Sequence, residues 1–279
     1  MQRRFHQMDV FGSDGFSGNP LAVIHDSEGL TTHDMLQITD WLNLSETTFL
    51  VPPTADEADY RVRIFCPGRE LPFAGHPTLG TCRAWLAAGG TPKQADRIVQ
   101  QCGAGLVSIR PTDDRLAFAA PPLSRSGPVE PEVLAERLGQ LGLTHDDIVD
   151  AAWIDNGPNW MGLLFESAEA ALRVPLPSGA LPGFDVGLIG PHPDGGAHAI
   201  EVRALFADSN GSVREDPVTG SLNASVAQWL LPTERLSAPY RARQGTSIGR
   251  RGDIWIEEAD DEIWVGGRAE VVVEGSIEA

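Results

Sequence analysis

The chain has 279 residues, a formal net charge of −18, 42% hydrophobic residues and 22% charged residues. This composition is typical of a globular protein in water, and the length is sufficient for two domains. The negative charge argues against nucleic acid or an anionic membrane surface as a partner, and no apolar run reaches the roughly 18 residues of a membrane span.

The cysteine content indicates a reducing compartment. Three cysteines, Cys66, Cys82 and Cys102, make an odd number, and no two have the spacing of a metal knuckle. The sequence therefore predicts neither a disulfide framework nor a metal site. The first residues carry basic side chains without the apolar stretch of a secretory signal, so we expect a cytoplasmic protein.

Hydrophobic patterning predicts a strand-rich chain with four helices. The helices are predicted at residues 32–43, 77–89, 130–141 and 221–231. Strands are predicted at 4–10, 20–25, 47–52, 60–66, 105–110, 115–119, 151–155, 161–166, 199–206, 252–257 and 262–274. Breaks in the pattern, marked by Gly and Pro, separate the elements.

Two Pro- and Gly-rich stretches predict the organisation of the chain. Residues 120–130 are interpreted as a linker between an N-terminal half, 1–120, and a C-terminal half, 121–279, whose last strand could return to the first half. Residues 175–197 are interpreted as a surface loop or an inserted arm, with His192 and His198 expected to be exposed in or beside it.

A repeated motif relates the two halves. Glu70–His76 reads ELPFAGH and Glu215–Ser221 reads EDPVTGS, so the pattern E-x-P-x-[AT]-G occurs twice, 145 residues apart. Each copy follows a strand that begins with an arginine and precedes a helix that contains a tryptophan. Such a duplicated strand–turn–helix unit predicts two halves related by approximate two-fold symmetry, with both turns at a cleft between them.

The repeated turn is suited to binding an anion. A helix N-terminus exposes unpaired N–H groups and a partial positive charge, and Gly75 and Gly220 would let a ligand approach closely. These donors could hold a carboxylate and stabilise the negative charge that forms when a C–H proton leaves. The structural alternatives are helix capping by His76 or Ser221 and a capping or ion-paired role for Asp216.

Glu46 is the candidate base. It lies between an amphipathic helix and an apolar, β-branched strand, in the segment LSETTFL. Desolvation there would raise the pKa of the carboxyl toward neutrality and allow it to accept and return a proton. Taken alone, a Ser-Glu pair at this position can equally be a capping or turn feature.

Together these residues resemble the phenazine biosynthesis PhzF-like family, which has the diaminopimelate epimerase fold. Five segments match in order: the opening FSGNPLAV, the LSETTF segment, the two repeated turns, and a late QG…GR pair at Gln244-Gly245 and Gly249-Arg250. The resemblance implies an α+β fold of two similar halves, each a β-sheet or barrel wrapped around a central helix. It also implies a homodimer and no cofactor.

The resemblance also assigns roles to individual residues. Glu46 corresponds to the catalytic glutamate of the family. The residues expected to bind the substrate are His76, Asp216 and Ser221, the backbone at Gly75 and Gly220, and Asn19 in the opening turn. Cofactor-free epimerases of this fold carry cysteines at the two helix starts, where this chain has His76 and Ser221, so a two-thiol mechanism is not expected.

The function predicted from the sequence is therefore isomerisation by proton transfer on a small carboxylate-bearing substrate, with Glu46 as the acid/base. Two alternatives remain open. An amino-acid epimerase or racemase would need a base on each face of the carbon, and Glu46 and His76 are the only candidates. A non-catalytic binding protein on the same scaffold would need no desolvated carboxylate.

Overall fold

The computed structural model describes residues 1–112, 114–208 and 210–279. Helices are α1 (Thr32–Leu42), α2 (Gly75–Ala87), α3 (Pro131–Gln140), α4 (Ala168–Arg173) and α5 (Gly220–Leu230). Strands are β1 (Gln2–Val10), β2 (Asn19–Ile24), β3 (Glu46–Val51), β4 (Tyr60–Cys66), β5 (Arg69–Leu71), β6 (Ile98–Cys102), β7 (Gly105–Pro111), β8 (Leu116–Ala119), β9 (Arg125–Pro128), β10 (Asp150–Asp155), β11 (Met161–Leu164), β12 (Asp185–Pro191), β13 (Ile200–Ala207), β14 (Val213–Asp216), β15 (Tyr240–Gln244), β16 (Gly252–Ala259), β17 (Glu262–Gly267) and β18 (Ala269–Glu278).

The chain forms two compact units. Unit 1 contains Met1–Ala119 and Gly266–Ala279, and unit 2 contains Ala120–Val265. In unit 1 the strands pair in the order β18–β1–β2–β3–β4–β6–β7–β8, with β5 also on β4. In unit 2 the order is β9–β10–β11–β12–β13–β15–β16, with β14 also on β13.

The internal duplication predicted from the repeated motif is confirmed by strand pairing. From β1 to β7 the successive pairs are antiparallel, parallel, antiparallel, parallel and antiparallel, and the series from β10 to β16 is the same. Each repeated turn follows a short antiparallel side strand, β5 or β14, and leads into a long helix, α2 or α5. The shared order of elements explains why the motif recurs with its flanking strand and helix.

Each unit encloses one helix. Buried residues of α2 run from Gly75 to Cys82, and the helix contacts β1, β2, β3, β6, β8 and β18. Small side chains permit this close packing, since a methyl group at Gly80 would lie 2.5 Å from a Leu21 methyl carbon. In unit 2, α5 is buried along most of its length and contacts β10 and β16.

The α+β class is confirmed, but the two Pro- and Gly-rich stretches both contain strands that the sequence did not predict. The interpretation of residues 175–197 as a surface loop is wrong, because they contain the buried strand β12 between β11 and β13. Its glycines are there for packing, since a Cβ at Gly187 would lie 2.7 Å from Leu222 and one at Gly190 would overlap the Ser167 carbonyl oxygen. Residues 120–130 also contain a strand, β9.

The two histidines near that stretch are also placed differently from the prediction. His192 is 28% exposed and its Nε2 lies 3.2 Å from the buried carboxylate of Glu201. His198 is 15% exposed and its Nε2 lies 3.2 Å from Asp253. Both rings are therefore held by carboxylates rather than projecting freely, because they lie beside the paired strands β13 and β16. Across the described ranges, no helix is both long enough and apolar enough to span a membrane.

Candidate active site

Glu46 is the first residue of β3, which pairs on both sides with other strands of unit 1. Leu21 of the parallel strand β2 is its register partner, and β4 runs antiparallel on the other side. Helix α1 ends just before it, at Asn43, whose φ of 53° turns the chain into the strand. The Glu46 side chain is 18% exposed, so a rigid sheet presents a largely desolvated carboxylate.

His76 contacts that carboxylate. It is the second residue of α2, and its Nε2 lies 3.3 Å from Oε2 of Glu46. Its other ring nitrogen, Nδ1, lies 3.3 Å from the amide nitrogen of Asn19. Because an amide NH₂ only donates, Nδ1 is the acceptor and the ring hydrogen is assigned to Nε2, the nitrogen on the Glu46 side, although that N–H is not aligned for a hydrogen bond to Oε2.

Burial keeps the His76 imidazole neutral. The side chain is 4% exposed, and desolvation lowers the pKa of His76 from 6.5 to about 3. At neutral pH the ring therefore lies against the Glu46 carboxylate without a positive charge. It is also a weak base, because a proton on a desolvated ring is unfavourable.

The opening turn holds Asn19 in place. Asp9, at the end of β1, accepts hydrogen bonds from the backbone N–H groups of Ser17 (3.1 Å) and Gly18 (2.8 Å). Gly18 approaches so closely that an added Cβ would overlap the Val10 carbonyl oxygen. Asn19 follows directly and is fully buried. Asp9 was not identified from the sequence, although an acidic residue before a Gly-rich turn is a usable signal for such a brace.

In unit 2, the second turn orders its own polar groups. Asp216 ends β14 and is 9% exposed, and its Oδ2 accepts the Thr219 hydroxyl at 2.6 Å. Ser221, the second residue of α5, contacts the Trp160 indole Nε1–H at 3.3 Å through Oγ. The Ser221 carbonyl accepts from the Asn156 amide at 2.9 Å. His76 and Ser221 are therefore not helix caps, because each is the second residue of its helix and its side chain contacts other polar groups.

Both buried helices begin without a side-chain cap. Among the described residues, neither N-cap residue, Ala74 for α2 or Thr219 for α5, makes a side-chain hydrogen bond to its helix. The first backbone bonds of the two ladders are donated by Thr78 and Asn223. The amides at Gly75 and Gly220 thus lie in first turns whose positive dipole end is available to an anion.

The glutamate of the repeated motif has a structural role that the sequence did not reveal. Glu70 accepts a two-pronged hydrogen bond from Arg63, at 2.8 and 2.6 Å. Glu215 accepts from Arg203 at 3.1 and 2.8 Å. In each unit the arginine lies two residues before the residue opposite the glutamate, Phe65 in β4 and Leu205 in β13. The pair therefore fastens the hairpin that leads to the turn.

The cysteines do not supply an acid or base. Burial raises the pKa of all three thiols, that of Cys82 to about 12. None lies at a helix start, where a thiolate would be stabilised. In the described part of the chain, no three His, Cys, Asp or Glu side chains are grouped as metal ligands. Among the described residues, the pair of Glu46 and His76 in unit 1 is the best candidate for acid–base catalysis.

Two duplicated α+β units, each with a buried helix that begins at a glycine, form the diaminopimelate epimerase-like fold. The chain belongs to the phenazine biosynthesis-like (PhzC-PhzF) family, whose model matches residues 8–275. The predictions of the family, of the fold class and of an isomerase-type enzyme are confirmed.

Relatives cover almost the entire chain. It is 33% identical over 303 residues to antisense-enhancing sequence 1 of Schizosaccharomyces pombe, covering 98% of both chains. It is 31% identical over 253 residues to trans-2,3-dihydro-3-hydroxyanthranilate isomerase of Pseudomonas aeruginosa, covering 88% of this chain and 87% of that one. The fold is similar to that of the PhzF-family protein of Bacillus anthracis, with a TM-score of 0.81 at 20% identity over 100% of both chains.

Proposed function

We propose that this protein is a cofactor-independent isomerase that moves a proton between two carbons of a small, conjugated carboxylate. The contact at 3.3 Å between Glu46 and the neutral imidazole of His76, at the start of a buried helix, carries the proposal. An ionised Glu46 removes an acidic C–H proton, and the electron pair delocalises into the conjugated system. The protonated carboxyl then returns the proton to another carbon, so the atoms balance and no co-reactant is needed.

The neighbouring groups have complementary roles in this proposal. His76 contacts the Glu46 carboxylate and limits its orientation, and the first-turn amides of α2 stabilise the negative charge that develops on the substrate. Asp216 and Ser221 bind other polar groups of the substrate. The Pseudomonas relative is named for acting on trans-2,3-dihydro-3-hydroxyanthranilate, and we propose a substrate of the same chemical class here.

The rival epimerase mechanism is less well supported. It needs a second base on the opposite face of the reacting carbon, and His76, with a pKa lowered to about 3, is a poor base at neutral pH. The three thiols have raised pKa values, so they do not replace it. A single carboxylate that both removes and returns the proton fits proton migration better than inversion.

Substitution of Glu46 tests the proposal. With trans-2,3-dihydro-3-hydroxyanthranilate as the probe, Glu46→Gln is expected to lower kcat by about 10²–10⁴-fold, because general acid–base catalysis contributes that much. Binding of the probe should persist. Glu57→Gln, a change at an exposed glutamate, serves as the matched control. Turnover of the Glu46 variant within threefold of wild type would refute the assigned role.

Solvent exchange separates the alternatives. In D₂O, proton migration through Glu46 should place deuterium only at the carbon that becomes protonated, to the extent that the carboxyl exchanges with solvent between the two steps, without inversion at another centre. Deuterium incorporation with inversion at one carbon would indicate an epimerase. Probe binding without exchange or turnover in the wild-type protein, together with failure of Glu46→Gln to change anything, would indicate a binding protein.

We further propose that the protein acts in the cytoplasm as a homodimer and needs no cofactor. The family resemblance supports these features. Sedimentation equilibrium of the protein, purified without added metal or cofactor, measures the mass of the assembly. Isomerase activity of the same sample after dialysis against a chelator tests whether a cofactor is needed. A monomeric mass would contradict the dimer, and activity restored only by an added metal would contradict independence from cofactors.

A further inference from the structure

Gln244 contacts the second repeated turn, Glu215–Ser221. It is the last residue of β15, in register with Val202 of the parallel strand β13, and its side chain is fully buried. The next residue, Gly245, has a φ of 88°, and a Cβ there would lie 2.6 Å from the carbonyl oxygen of Pro217. Only glycine lets the chain pass this close to the turn in that conformation.

Both the oxygen and the nitrogen of the Gln244 side-chain amide make hydrogen bonds. Its Oε1 accepts from the backbone N–H of Thr219 at 3.0 Å and from the side-chain amide of Asn223 at 2.8 Å. Its Nε2 donates to the carbonyl of Asp216 at 3.2 Å and to Oγ1 of Thr219 at 2.9 Å. Because a backbone N–H can only donate, the end facing Thr219 N must be the oxygen, and the orientation of the amide follows from its partners.

This orientation determines the direction of the next hydrogen bond. A hydroxyl has one hydrogen, and Thr219 Oγ1 already receives one from Gln244. Its own hydrogen is therefore donated to Oδ2 of Asp216, 2.6 Å away. The series runs from Gln244 through Thr219 to Asp216, and it delivers an O–H donor to the carboxylate. A donor in that position favours the ionised form and fixes its rotamer.

Comparison of the two halves shows that this series occurs in only one copy of the repeat. With the repeat offset of 145 residues, Leu71 and Ala74 occupy the places of Asp216 and Thr219 in unit 1. The packing of Gly245 on Pro217 recurs there, since a Cβ at Gly103 would lie 2.8 Å from Cα of Pro72. The residue before Gly103 is a cysteine, Cys102, at the place of Gln244. All three polar groups occur together in one half, and all three are replaced in the other.

We infer that Gln244 and Thr219 are positioning residues that hold Asp216 ionised and aimed for an interaction with a polar, hydrogen-donating group of the substrate, such as a hydroxyl or an ammonium. Thr219 transmits the orientation of the Gln244 amide to the carboxylate. This inference rests on the proposed function for its catalytic meaning, since Asp216 binds the substrate there. The direction of the hydrogen bond can be tested on the protein alone.

The first experiment uses no substrate. Protein labelled with ¹³C-carboxyl aspartate is titrated by NMR, and the Asp216 signal is identified by its loss in Asp216→Asn. In Thr219→Val, which keeps the volume but removes the hydroxyl, the titration of that signal is expected to move to higher pH. Thr219→Ser should restore the wild-type curve, and Gln244→Met should give a smaller shift because the hydroxyl can then rotate away.

Two controls separate positioning from stability. Gln100→Met removes a buried amide that bonds Thr78 in unit 1, so it should lower stability without moving the Asp216 titration. In the isomerase assay, Thr219→Val is expected to lower kcat/KM about 10- to 100-fold, the effect of one lost charge-assisted hydrogen bond, with Thr219→Ser near wild type. A separate circular-dichroism melt checks that each variant is folded.

The outcomes are distinct. An unchanged Asp216 titration in folded Thr219→Val would overturn the inference, as would equal defects in Thr219→Ser and Thr219→Val. If the NMR shift appears but no variant, including wild type, turns over the probe, the hydrogen-bond series is supported and the proposed function fails. If Gln244→Met is unfolded, the Thr219 pair still decides the question.

Discussion

The two copies of the arginine–glutamate pair allow one electrostatic interaction to be compared at two depths in the same molecule. Arg203 and Glu215 have side chains 3% and 1% exposed, whereas those of Arg63 and Glu70 are 22% and 39% exposed. The perturbation is the near-isosteric change Glu215→Gln, with Glu70→Gln as its matched control. Each change removes one negative charge from the same position of the repeated motif.

The magnitudes follow from burial. Removing one partner of a buried pair costs about 3–5 kcal/mol, since the remaining charge is desolvated and uncompensated. Arg203 also donates to the carbonyls of Ala171 and Val174, which keep it in place and prevent it from reaching water. We therefore expect Glu215→Gln to lower the free energy of unfolding of unit 2 by about 3 kcal/mol. An exposed pair contributes about 0–1 kcal/mol, so Glu70→Gln should cost less than about 1 kcal/mol.

Thermal and urea unfolding followed by circular dichroism measure both effects. For units of roughly 130–150 residues, 3 kcal/mol corresponds to a decrease in Tm of about 6–12 °C, and the control should move it by less than about 4 °C. A double variant, Arg203→Met with Glu215→Met, should recover part of the loss, because no buried charge remains although the carbonyls of Ala171 and Val174 lose a donor. Equal costs for the two glutamates, or a double variant worse than Glu215→Gln, would refute the reasoning.

Three further predictions concern the first unit. Gly80→Ala should destabilise the protein by about 1–3 kcal/mol, because the new methyl group meets Leu21 at 2.5 Å, and a neutral result in urea unfolding would contradict this packing. Burial lowers the pKa of His76 to about 3, so the unfolded state binds protons more readily than the folded state as pH falls below 6.5. Between pH 7 and 5, wild type should therefore lose about 2 kcal/mol more stability than His76→Gln. Parallel stability–pH profiles of the two proteins would exclude a buried neutral ring. Asp9→Asn should cost about 1–3 kcal/mol, because an amide cannot accept from both backbone N–H donors without a clash, and Asn19 should lose protection in hydrogen exchange; unchanged protection would mean that the turn is held by other groups.

The sequence predicted the elements whose signals are local. Helix α1 shows the capping box of Thr31 with Asp34 and a left-handed Asn43 at its end, and the prediction of 32–43 agrees within one residue. Helix α2 is likewise marked by Pro77 in its first turn. Strands with alternating or continuous apolar residues were found within one or two residues of their ends, except where 262–274 proved to be two strands that break at Arg268.

Prediction from the sequence failed where glycines allow close packing rather than chain flexibility. β12 was missed because Gly187 and Gly190 were interpreted as loop residues, yet each allows a side chain or backbone atom of a neighbouring element to approach. The short strands β5, β9 and β14 were missed because three or four residues carry no period that can be recognised. These elements exist through pairing with distant strands, which a local pattern does not encode.

In the candidate site, too, the sequence predicted individual residues but not the contacts that depend on distant parts of the chain. Glu46 and His76 were identified individually, but their contact, the tautomer of the ring and its neutral state depend on burial and on Asn19, and none of these can be obtained from spacing. Asp9 was missed because its role is to accept two backbone N–H groups of a turn that exists only after β1 and β2 pair.

The repeated motif itself combines two requirements that a sequence pattern does not separate. Its glutamate, Glu70 or Glu215, is bound by an arginine in both units, so that position is constrained by the geometry of the hairpin. Its glycine begins a buried helix in both units, so that position is constrained by close packing. The residue after the glycine differs, His76 in one unit and Ser221 in the other, and each contacts polar side chains of its own unit. A duplicated scaffold thus keeps the same turn while its helix starts are free to diverge, and the divergent positions are the ones where chemistry should be sought.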